Sequence, residues 1–137
     1  MVALRNLALL VGRVFIASIF VYEATGVVRI QAEIAAYMKG YGVPGSLLWP
    51  YVLFMFIGGL MIVAGFLTRI IAIGFAGFCV LTALIFHHHF TDLNQVLHFG
   101  KDFGLAGGFL FLAAGGAGAW SLDARFRTDC WPLSTVG

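Results

Sequence analysis

Four long apolar stretches, separated by polar or glycine-rich breaks, set the pattern of the chain. They are LALLVGRVFIASIFVYEATGVV (7–28), SLLWPYVLFMFIGGLMIVAGFL (46–67), IIAIGFAGFCVLTALIF (70–86) and FGLAGGFLFLAAGGAGAW (103–120). Each has about the length needed to cross a hydrocarbon core of roughly 30 Å at about 1.5 Å per residue. Lipid cannot satisfy open backbone groups, so segments of this kind must be helical. The pattern therefore predicts an all-α membrane protein, four transmembrane helices in an up-down bundle. It forms a single membrane domain over 1–137 with a polar tail at 121–137. GVPG (42–45) reads as a turn, and Pro50 falls in the first turn of the second span, where a missing N–H costs least. Residues 29–45 are then a short interfacial connection. The first span contains Arg13 and Glu23 and outruns a signal-peptide core, so it is expected to be retained.

Composition explains why the solvent must be lipid. Hydrophobic residues make up 61% of the 137 positions and charged residues 10%, against roughly 25% charge in soluble domains. Small domains bury the smallest share of their surface, so water could not host this chain. A net charge of +2 with scattered positives argues against a nucleic-acid partner. One side collects Arg5, Arg13, Arg69, Arg125 and Arg127, the other Arg29, Lys39 and Lys101. This bias predicts both termini in the cytoplasm, with the histidine stretch at the outer face. Cys79 sits inside an apolar run and Cys130 in the polar tail, which does not suit a disulfide. Gly100, Gly104 and Gly108 recur every four residues, a small-residue stripe that suits close helix packing within the bundle or a homo-oligomer seam.

Polar groups inside such a chain need a reason, because each is costly in lipid. Arg13 lies about 9 Å into the first helix, where snorkelling or a structural hydrogen bond accounts for it. Glu23 is near the other end of that helix, level with FHHHF (86–90). His87 and His98 flank the turn after the third span and can converge over Glu23, with Lys101 and Asp102 adjacent. If DLNQVLHFGKD is helical, Asp92 and Gln95 form a capping pair and His98 shares a face with Asp102. Imidazoles with a carboxylate suit a quinone headgroup or proton relay, and equally a metal or haem site at His87 and His98. Interfacial histidines that merely solvate a helix end are the plain alternative. Adjacent histidines on a helix point in different directions, so the triplet cannot serve one site as a unit.

GVPG, GGLMIVAGFLTR, FHHHF, GKD and GAGAWSLD follow in an order that resembles the DoxX family over roughly residues 5 to 123. The resemblance implies a four-helix protein of the bacterial inner membrane. It links named members to sulfur and thiol redox chemistry, as a small membrane subunit of a thiosulfate:quinone oxidoreductase or of an oxidative-stress membrane complex. It places family positions at Arg13, Thr68, Arg69, His87 and Lys101. Two positions depart: Val27 stands where many relatives have a lysine, and Met55 where they have a glutamate. Glu23, one turn before Val27, is the carboxylate this chain offers instead.

Two functions remain in view. In the first, the chain supports electron transfer from a sulfur or thiol donor to quinone. Glu23, His87 and Lys101 are its candidate catalytic residues, and His87, His98 and Arg13 its candidate cofactor-binding residues. In the second, it is a non-catalytic accessory subunit that assembles with itself or with partner oxidoreductase subunits.

Overall fold

The structure, a computed structural model, describes residues 1–128; Cys130 lies outside the described residues. Six α-helices follow in order among them: α1 (Val2–Arg29), α2 (Gln31–Gly40), α3 (Leu48–Ala64), α4 (Thr68–Phe86), α5 (Leu93–Gly115) and α6 (Leu122–Phe126). A 3-10 turn, Gly45–Leu47, leads into α3. Among the described residues four helices, α1, α3 with that turn, α4 and α5, are long and apolar enough to cross a membrane. They pack together as an all-α bundle, with α1 against α3 and α4 against α5 as its two main pairs.

Two boundaries differ from the sequence reading, and the differences shape the site. The fourth span starts at Leu93, ten residues before the expected position, and Gly116 at φ 76° ends it. His98, Lys101 and Asp102 therefore sit on the spanning helix rather than ahead of it. The polar residues that broke the apolar run face a cavity, where they need not be apolar. Residues 29–45 are also more than a connection, because Gln31–Gly40 forms a helix of its own, α2. Asp92 caps α5 by accepting from Asn94 N at 2.9 Å. Gln95 does not complete a capping box; its side chain goes to His87.

Each spanning helix contributes a phenylalanine to the centre of the bundle. Phe75 of α4 lies 4.6 Å from Phe20 of α1, 4.7 Å from Phe54 of α3 and 5.0 Å from Phe109 of α5, ring centre to ring centre. These distances fall in the favourable range for aromatic pairs. Gly58 and Gly59 let the helices close on this core: a Cβ at Gly58 would stand 2.9 Å from Phe75, and one at Gly59 2.7 Å from Val21. The stripe on α5 behaves differently. A Cβ at Gly108 would meet Ile16 at 2.9 Å, whereas Gly100 and Gly104 have no atom within 4 Å of theirs.

The end of the bundle holding Val2 and α6 is clamped by polar contacts. Gly65, at φ 69°, ends α3 with the paired bonds Gly65 N to Ile62 O and Phe66 N to Met61 O. Leu67, before α4, has no capping side chain of its own, and Asp123 supplies one from α6. Its carboxylate accepts from Leu67 N at 2.7 Å and Thr68 N at 2.9 Å, while Asp123 N donates to Gly65 O at 2.8 Å. Arg69 ties α4 to the end of α5, donating to Ala113 O and Ala114 O at 2.7 Å each, where a cation also meets the negative end of the helix dipole.

Candidate functional site

The opposite end of the bundle holds a half-open cavity of about 690 Å³. Its walls come from α1 through α5, and most are apolar: Phe20, Val27, Ile34, Met38, Phe78 and Leu105 are examples. Its carboxylates, histidines and lysine come from three elements. Glu23 comes from α1, His87 from the C-terminal end of α4, and His98, Lys101 and Asp102 from α5. Helical spacing explains the α5 set, since positions three and four apart share a face.

Polar groups approach one another across elements. Lys101 Nζ lies 4.0 Å from Glu23 Oε1, joining α5 to α1. His87 Nε2 lies 3.9 Å from Asp102 Oδ2, and its Nδ1 meets Gln95 Oε1 at 2.9 Å. The His87 and His98 rings stack with centres 5.1 Å apart and planes 21° from parallel. The result is an apolar chamber with one polar wall able to donate hydrogen bonds, accept them and hold a proton.

Of the residues singled out from the sequence, Glu23, His87, His98 and Lys101 all line this cavity. Arg13 does not. It is buried at the other end of the bundle, about 15 Å along α1 from Glu23 by helical rise, and Arg13 Nη2 donates to Trp120 O at 2.6 Å. Its Nε and Nη1 have no hydrogen-bond partner among the described residues. The guanidinium thus secures the segment before α6 and cannot reach a headgroup in the cavity. His88 and His89 stack on each other with ring centres 4.6 Å apart, beside Tyr41 and outside the cavity lining. Among the described residues no three His, Cys, Asp or Glu side chains are grouped as a metal centre requires.

Asp102 and Gln95 were not among the candidates, although both contact His87. The signal was present as the spacing Gln95, His98, Asp102, a stripe on one face of a helix. Tyr51, Thr82 and Cys79 also line the cavity, and nothing in the apolar runs around them marks these positions.

The DoxX family model matches residues 8–88 of this chain. The chain belongs to the DoxX family. It is also similar to inner membrane protein YqjF of Escherichia coli (strain K12), 41% identical over 128 residues, covering 93% of this chain and 98% of that protein. Inner membrane protein YphA of the same strain is 31% identical over 130 residues, covering 90% of this chain and 93% of that protein. No solved structure matches. The chain is accordingly a DoxX-family inner membrane protein with four helices suited to the bilayer. The matched span ends just past His87, so the α5 wall of the cavity lies beyond it. The two departures from the family resemblance fall at different depths. Val27 lines the cavity one turn beyond Glu23, whereas Met55 is buried in the core.

Proposed function

We propose that this DoxX-family protein is a small membrane subunit supporting electron transfer from a sulfur or thiol donor to membrane quinone. The cavity holds the quinone headgroup against the Glu23, Lys101, His87, His98 and Asp102 wall. The observation that carries this reading is one largely apolar cavity with all five of those side chains on it. Its volume of about 690 Å³ suits a small-molecule site, typically about 300–1,000 Å³. A quinone is a flat ring with two carbonyl acceptors and an apolar tail. Lys101 offers a donor to a carbonyl, the histidines handle protons, and the apolar walls accommodate the ring and tail. A partner subunit supplies the donor end. Both termini face the cytoplasm in this reading, and the cavity lies toward the outer face. Glu23 takes over the acidic role that Met55 cannot perform.

The test is donor-dependent quinone reduction in membranes containing the complete complex. Glu23→Gln and His87→Ala are expected to abolish turnover while the protein stays folded. Unchanged turnover in both variants would sink the proposal.

One observation favours a second reading, a non-catalytic assembly subunit. Gly100 and Gly104 present a small-residue surface with nothing packed on it, as a helix from another copy or a partner requires. In that case Gly104→Leu disrupts the assembly seen by native mass spectrometry, and Glu23→Gln has no effect.

A further inference from the structure

Gln95, His98 and Asp102 form one stripe on α5, and the His87 imidazole lies along it, held by the first two and facing the third. Nδ1 meets Gln95 Oε1 at 2.9 Å, the ring face stacks on His98, and Nε2 faces Asp102 Oδ2 at 3.9 Å. An amide oxygen can only accept, so the bond to Gln95 requires hydrogen on Nδ1. With that hydrogen on Nδ1, Nε2 becomes the ring's open acceptor.

The gap to Asp102 agrees. A ring with hydrogen on both nitrogens would draw a carboxylate to about 2.7–2.9 Å, the length of a charge-assisted bond. A separation of 3.9 Å suits two acceptors with no hydrogen between them. His87 and Asp102 both line the cavity, so together they make a slot for an O–H donor.

The geometry points to a ligand that brings its own hydroxyl: the cavity holds the reduced, dihydroxy form of its quinone in preference to the oxidised form, with Gln95 the positioning residue that turns the acceptor side of His87 toward it. This rests on the quinone reading of the cavity and adds the redox form that is held. The consequence is thermodynamic. Two thiols that become one disulfide release two electrons and two protons, which convert one quinone to one diol. Tighter binding of the diol makes the bound quinone a better oxidant, by about 30 mV for each tenfold preference.

The test uses the purified full chain in nanodiscs, titrated without oxygen with a short-chain benzoquinone and, separately, with its hydroquinone. The hydroquinone is expected to bind about tenfold more tightly, roughly one hydrogen bond's worth. Gln95→Leu should bring the two affinities to within about threefold. Nitrogen NMR of the unsubstituted protein should show His87 protonated at Nδ1 and bare at Nε2, a signature independent of how the variant folds. Equal affinities, a proton on Nε2, or an unchanged preference in Gln95→Leu overturns this inference and leaves the quinone reading standing. Binding of neither form overturns both.

Discussion

Lys101 of α5 and Glu23 of α1 meet 4.0 Å apart on the wall of the cavity. Elsewhere these helices meet through Phe20 and Phe109, with ring centres 5.4 Å apart, and through Ile16 over Gly108, so the pair adds a polar bridge at the cavity end of an apolar seam. Both side chains are partly exposed, at 43% and 42%. In water such a pair contributes little; in a bilayer each charge depends on the other, because lipid solvates neither. Lys101→Met and Glu23→Gln should therefore each destabilise the protein in nanodiscs. The double variant should lose no more stability than the worse single one. Additive losses in unfolding experiments would show that the two side chains act independently.

Asp123 makes a second prediction, with a defined sign in pH. Burial pushes its carboxyl up, but hydrogen bonds from Thr128, Thr68 and the Leu67 N–H outweigh burial and hold it below the usual aspartate range. A group whose folded value is lowered stabilises the fold above its unfolded value, near ~4, and that contribution disappears as pH falls through the folded value. The fold should accordingly lose stability on acidification below about pH 4. Asp123→Ala should remove about 1–3 kcal/mol at neutral pH by stripping the cap from α4 and should flatten the acid-side slope. Thermal unfolding of both proteins between neutral pH and pH 3 checks this.

Gly65 separates a required glycine from a tolerated one. Its φ of 69° is left-handed, and a Cβ there would collide with Arg13 Nη1 and Ser121. Gly65→Ala is expected to cost about 2–4 kcal/mol, from backbone strain plus overpacking. Gly104→Ala, with open space at its Cβ, should leave the stability of the isolated chain within about 1 kcal/mol of the parent. Unfolding midpoints in detergent compare the two directly.

The spans were legible in the sequence because length and apolarity suffice to identify a membrane helix. The start of α5 was not. His98, Lys101 and Asp102 broke the apolar run, and a hydropathy pattern cannot distinguish residues that leave the membrane from residues that line a chamber within it. The helix Gln31–Gly40 was hidden for a related reason: it is short, with Glu33 and Lys39 at its ends, and it covers the cavity instead of crossing the bilayer. Glu23 and His87 could be grouped from their depths along neighbouring helices, which needs only rise per residue; His98 followed from its place across the turn from His87, and Lys101 from the cation that Glu23 needs and from the family resemblance. Arg13 could not be placed that way. Its partner, the Trp120 carbonyl, belongs to a segment read as part of the fourth span, and that segment lies past the end of α5. Asp102 and Gln95 needed the rotation of α5 about its axis, which sequence spacing suggests and only the packed bundle fixes.

The most direct measurement of the central claim is photolabelling with an azido-benzoquinone in membranes, followed by peptide mass spectrometry. The account predicts adducts on cavity residues of α1, α2, α4 and α5, such as Val27, Met38, Phe86 and Leu105, suppressed by excess unlabelled quinone and lost in His87→Ala. Adducts confined to the lipid-facing surface, or labelling unaffected by competitor, would contradict it.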